Sequence, residues 1–188
     1  MLAFPKKRVC LIAVVTYIAH TIHIEDSSKI IHEIAVRLRR DDVEATNMEI
    51  HESKIGRIVF ARLTEDEDLL EAITLRVKQA KITSGFFILI GALKKAKLGF
   101  YDEQEYKATE ISEPVEIVSC IGNLSLKEEE PIVHAHTSVS NKKGEAFGGH
   151  LLPGCIVSVN AELVLVEAAD LRLQRVPDEK TKLHLWDA

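Results

Sequence analysis

Ile132-Val133-His134-Ala135-His136-Thr137-Ser138-Val139-Ser140 alternates in the manner of a half-buried β-strand. Asn141-Lys142-Lys143-Gly144 follows with turn chemistry, and Phe147-Gly148-Gly149-His150 brings the chain back. The stretch reads as an antiparallel hairpin. Residues two apart in a strand share a face, so the spacing points His134 and His136 the same way. A register pairing residues whose numbers sum to an even value, such as 134 with 150, puts His150 on that face; an odd sum sends it to the other. Gly148 and Gly149 allow the backbone to bend or to approach a neighbour without a Cβ clash.

The surroundings are rich in strand signals. Arg57–Leu63 reads as a strand. Phe86–Ile90 is a continuous apolar run that Gly91 interrupts, and Ala96–Tyr101 resumes it. Glu105–Glu110 has the polarity of an edge. Val115–Leu126 and Ile156–Val166 are long and β-branched, and Leu171–Val176 reads as a closing strand. Tyr101-Asp102-Glu103 and Pro153-Gly154 mark further turns. One helix stands out. Leu69, Leu70, Ile73, Val77 and Ala80 fall at helical spacing, predicting an amphipathic helix over 65–81, with Thr64 and Glu67 in capping-box spacing before it. The fold class is therefore α+β, a mostly antiparallel sheet with one dominant helix.

The 188 residues suit one domain or one domain with an extension, and 46% hydrophobic content supports a buried core. The net charge of −5 works against a chain that binds nucleic acid by bulk electrostatics. Cys10, Cys120 and Cys155 share no CxxC spacing, which excludes a disulfide framework or a cysteine-based zinc site and fits a reducing, cytoplasmic compartment.

Residues 1–47 form an N-terminal extension whose seven basic and six acidic side chains contrast with 17 and 23 from Met48 onward. Within it, Lys6, Lys7 and Arg8 precede the apolar run Val9–Ala19, the outline of a secretory signal but without a small-x-small cleavage site. Ser28 precedes a helical stripe of Ile30, Ile31, Ile34, Ala35 and Leu38. Met48 is a candidate translation start, and residues 48–188 form the main domain. No run reaches the roughly 20 apolar residues of a membrane helix.

Three imidazoles on one face of a ribbon would satisfy the needs of an open tetrahedral site for zinc or another imidazole-accepting metal, with water at the remaining position. The alternative is a pair of surface histidines and a glycine bulge. Glu116 and Glu162, each in an otherwise apolar strand, are candidates for orienting an imidazole or for moving a proton at metal-bound water; each also suits the wet side of a sheet. Asn123, after Gly122, suits capping a bend or contacting a ligand, the turn role being favoured. Lys94, Lys95 and Lys97, with Lys142 and Lys143, form a basic cluster able to touch phosphates, although no aromatic stacking platform accompanies them. No P-loop, Gly-rich dinucleotide fingerprint or GxSxG is present.

Taken together, four ordered motifs resemble the plants-and-prokaryotes-conserved (PPC) domain family, known in plants as the partner of AT-hook motifs. They are Asp68-Leu69-Leu70-Glu71-Ala72, Ile90–Leu98, Pro114–Leu126, and Pro131–His136 with Gly148-Gly149-His150-Leu151, within a resemblance running from Gly56 to Val176. The resemblance implies a sandwich-like α+β domain that assembles as a homotrimer, with His134, His136 and His150 as metal ligands. It also implies a DNA-associated role. The chain has no Arg-Gly-Arg-Pro core, however, so the arm that reads the minor groove in the plant proteins has no counterpart to carry over.

Three functions follow. The first is a trimeric, zinc-containing module for DNA-associated regulation or protein interaction. The second is a metal-dependent enzyme on a small molecule, ranked lower because no substrate-recognition motif is visible. The third is a purely structural metal tying strands together, whose removal should lower thermal stability.

Overall fold

A computed structural model describes residues 50–102 and 105–187. The expectations for Cys10, the Val9–Ala19 run, the helix behind Ser28 and the start at Met48 lie outside the described residues. The elements in order are β1 (Ile55–Thr64), α1 (Leu69–Ala80), β2 (Gly85–Tyr101), β3 (Tyr106–Ile111), β4 (Val115–Lys127), β5 (Glu130–Ser140), β6 (Ala146–Leu151), β7 (Ile156–Ala168), β8 (Arg175–Pro177) and β9 (His184–Trp186).

Strands β1 to β7 make one antiparallel sheet in the order β1-β7-β2-β4-β5-β6, with β3 also on β2. The 17-residue β2 organises it. Its first half lies between β7 and β4, and its second half between β6 and β3. Because β6 pairs with both β5 and β2, strands β2, β4, β5 and β6 form a closed circuit. The interruption expected at Gly91 is a bulge inside one strand. Gly91 has φ 153°, and a Cβ there would stand 2.6 Å from the Cα of Ala161 and the carbonyl oxygen of Asn160. Only a residue without a side chain lets β2 bend so close to β7.

The inner face is the core. Leu63, Phe87, Leu93, Val157 and Leu165 are fully buried, and α1 covers them with Leu69, Ile73 and Val77. Each such side chain contributes about 1.5–3 kcal/mol through removal from water. The helix begins at Leu69 rather than 65. Asp68 is its N-cap, accepting from the backbone N–H of Leu70 at 3.1 Å and Glu71 at 3.2 Å. Its other oxygen accepts from Gly154 N–H at 2.6 Å, tying the β6–β7 turn to the helix start. The Thr64–Glu67 bond exists, at 2.6 Å from Thr64 N–H, but it closes the turn ahead of the helix.

Among the described residues no element covers the outer face. One ladder row crosses six strands, through Phe60, Val164, Ile88, Ile121, His136 and His150. The adjacent row holds Ile58, Val166, Phe86, Asn123 and His134.

The expected closing strand at Leu171–Val176 meets this sheet only through an isolated parallel bridge between Gln174 and Leu126. The end of β4 runs past the start of β2. There Leu126 N–H donates to the Leu173 carbonyl at 2.8 Å, while Leu173 N–H donates to the buried Ser84 hydroxyl at 2.7 Å. Only Arg175–Pro177 becomes a strand, in a separate two-stranded ribbon with β9.

Candidate metal centre

Five residues separate β5 from β6, Asn141 to Glu145, and Ser140 pairs with Ala146. An odd loop gives an even register sum, so the three histidines share the outer face. His150 stands opposite His136, not His134, and opposite Gly99 of β2 on its other side. The loop is held by Asn141. Its side-chain oxygen accepts from Lys143 N–H at 3.0 Å and Glu145 N–H at 3.1 Å, and its amide donates to Glu113 and Glu145. Gly149 sets the other side. A Cβ on it would lie 2.8 Å from the Gly99 carbonyl, so the close approach of β6 to β2 depends on this residue.

The ring centroids of His134, His136 and His150 are 5.1–5.5 Å apart. One nitrogen from each lies within 4.8 Å of the others. Two features fit a metal. The buried Nδ1 of His150 has no hydrogen-bond partner, and burial, followed by the other two rings and Arg175, lowers the His150 pKa to about 4. Burial likewise lowers that of His134. Imidazoles held neutral offer lone pairs without losing a proton first. An all-nitrogen set suits zinc, copper, iron or nickel.

Around these rings stand residues that the sequence reading missed or misassigned. Asn123 lies mid-strand opposite His134, not in a turn. Arg175 donates to Asn123 Oδ1 at 2.9 Å, Ser125 Oγ at 2.9 Å and the His184 carbonyl at 2.8 Å. Its Nη2 also lies 3.2 Å from His134 Nδ1. The Tyr106 ring stacks on His150 at 4.6 Å, and Trp186 lies 5.9 Å from the Arg175 guanidinium. Arg175 comes from 41 residues beyond His134, too far along the chain for any local spacing to signal it.

Neither candidate carboxylate joins the cluster. Glu116 pairs with Ser140, four residues along β5 from His136 or ~13 Å away. Glu162 is on β7, three strand spacings or ~14 Å from β5. Both are exposed. Of the lysines, Lys94 is ion-paired with Glu65 at 2.7 Å and Asp66 at 2.8 Å, and Lys97 with Glu110 at 3.1 Å. Lys95 lies on β2 between them, and Lys142 and Lys143 in the β5–β6 loop. Cys120 and Cys155 are buried free thiols, and burial pushes Cys120 up to about 12, so it offers no thiolate. No helix among the described residues is long and apolar enough to cross a membrane.

Comparison with known proteins places this geometry. A PPC protein from Pyrococcus horikoshii shares 37% identity, with a TM-score of 0.69 over 75% of this chain and 98% of that one. A metal-containing protein from Archaeoglobus fulgidus shares 33%, with a TM-score of 0.67 over 75% of this chain and 100% of that one. A Bacteroides thetaiotaomicron protein with a provisional DNA-binding name shares 27%, with a TM-score of 0.66 over 75% of this chain and 98% of that one. The bifunctional protein GlmU of two Synechococcus strains is 32% identical over 133 residues, which is 69% of this chain. The chain spans about a fifth (20%) of the length of those curated relatives. The Plants and Prokaryotes Conserved (PCC) domain matches residues 50–169, the stretch that carries both the sheet and all three imidazoles, and the chain belongs to that family.

Proposed function

We propose that the protein is a metal-binding assembly module in which His134, His136 and His150 hold a divalent metal, zinc first among the candidates. The carrying observation is the convergence of three same-face imidazoles with one buried nitrogen left without a partner. The metal-containing description of the Archaeoglobus relative supports it. The metal would supply a Lewis-acid centre and satisfy the buried Nδ1; the chain's part is to keep His134 and His150 from protonating and to bring the three rings together. An enzymatic role receives less support, because Glu116 and Glu162 lie outside proton-transfer reach within one chain.

The module self-associates, as a homotrimer, through its outer face. Phe60, Ile58, Phe86, Ile88, Ile90, Val118 and Ile121 are each 48–77% exposed and run together across the sheet. An apolar patch of that extent on a soluble domain marks an interface. His136 lies in the same ladder row as Phe60, Ile88 and Ile121, so the metal centre borders that interface. A DNA-associated role, direct or through regulatory partners, draws on the provisional names of two structural neighbours. Bulk charge does not drive it, given the net charge of −5 and the ion pairs of Lys94 and Lys97.

Elemental analysis together with mass in solution tests the central reading. The native protein should carry about one metal per chain, and His134→Ala should lose it while keeping the same mass. Unchanged metal content in that variant would refute the ligand set.

A further inference from the structure

Arg175 stands beside the three imidazoles with no carboxylate partner among the described residues. Its neighbours are the neutral Ser125, Asn123, His184 carbonyl and His134. A guanidinium drawn partly out of water is ordinarily matched by an anion. Its five N–H groups meet four acceptors, which leaves one hydrogen on Nη1 without a partner among the described residues.

The bond to His134 is conditional. Nδ1 accepts from Arg175 only while its lone pair is free. A metal on Nδ1 takes that lone pair, and a metal on Nε2 keeps the proton on Nδ1. In either case the guanidinium, which only donates, loses this acceptor when the centre is loaded. Arg175 then presents one unanswered N–H on each terminal nitrogen, next to a divalent cation and three neutral rings. Positive charge accumulates there with no acidic side chain among the described residues to balance it.

Resting on the metal reading above, we propose that the loaded centre binds a small oxyanion, a carboxylate or phosphate group. The Arg175 fork takes two of its oxygens beside the metal. The two terminal nitrogens match the oxygen spacing of such groups. The aromatic rings of Tyr106 and Trp186 flank the position through their contacts with His150 and Arg175. The family domain thus supplies the imidazoles, and the segment after residue 169 supplies the cation.

Trp186 is the single tryptophan of the chain, so its emission reports on this site. The full chain is loaded with zinc, its zinc content measured, and inorganic phosphate or acetate titrated at constant ionic strength against chloride. Zinc content is measured again at the end. The expected result is a saturable emission change that chloride does not produce. Arg175→Gln should weaken it at least about tenfold with zinc content unchanged. Arg175→Lys keeps the charge without the fork and should fall between the two; if the Gln variant does not fold, the Lys variant carries the comparison. A response to phosphate alone assigns a tetrahedral anion, and to acetate alone a carboxylate. Zinc-loaded wild type with no saturable response overturns this proposal and leaves the metal reading standing. Failure to take up zinc overturns both, and anion affinity unchanged in the folded variants overturns the role of Arg175.

Discussion

The Nδ1 of His150 is buried without a hydrogen-bond partner among the described residues. A group left in that condition costs about 1–3 kcal/mol. The ring is nevertheless well packed, against Tyr106 on one side and the other two imidazoles on the other. On the proposed metal reading, loading would recover that stability. His150→Phe, which keeps an aromatic ring on Tyr106 and removes the orphaned nitrogen, should leave the metal-free protein at least as stable as wild type. It should also abolish any stabilisation by zinc. Urea unfolding with and without chelator checks both halves: in wild type the chelator lowers the midpoint, and in the variant it changes nothing. A variant less stable than metal-free wild type would show that the nitrogen is not a liability.

The β5–β6 hairpin delivers His150, and its loop is held chiefly by one side chain. Asn141 is 8% exposed and makes four hydrogen bonds, to two backbone N–H groups and two carboxylates. Asn141→Ala should lower the unfolding free energy by about 1–3 kcal/mol, since two loop N–H groups lose their acceptor. β6 is also pinned through Leu98–Leu151 and Gly99–His150, so the register should survive. Zinc stoichiometry should therefore stay the same while zinc affinity falls, a separation that denaturant unfolding and metal titration resolve. A change in stoichiometry would mean that the loop, rather than the pairing with β2, holds the histidine face.

Closing the circuit of β2, β4, β5 and β6 leaves the sheet with one face under α1 and the other uncovered by any described element. Ile88, 51% exposed on the central β2, sits in an apolar band that runs to Phe60, 77% exposed on the edge strand β1. Ile88→Glu places a charge within that band, where burial against a second copy would be costly. The expected outcome is a protein with the monomer mass and wild-type metal content, measured by light scattering and elemental analysis. An unchanged assembly mass would move the interface elsewhere.

Much of this was legible from residue order. Period-2 alternation placed His134 and His136 on one face, and 3.6-residue spacing marked Leu69, Ile73 and Val77 as a buried stripe, because both patterns are local consequences of backbone geometry. Pro131–His136 with Gly148–Leu151 pointed to the family. The parity of the hairpin stayed open in the sequence, and the five-residue loop of the folded chain resolved it. Alternation also says which residues share a face without saying which face finds a partner, so the bare outer side of β2 was invisible in its pattern. Asn123 looked like a turn residue because it follows Gly122, and Leu171–Val176 like a strand because its run of residues suits one; which strand lies alongside is set by distant pairing. Three-dimensional closure of β6 onto β2 decided where His150 stands, and the return of the chain beyond residue 169 set Arg175 against His134. Both are contacts between segments far apart in the chain, whose meeting depends on how the whole sheet curls and not on any neighbouring residue.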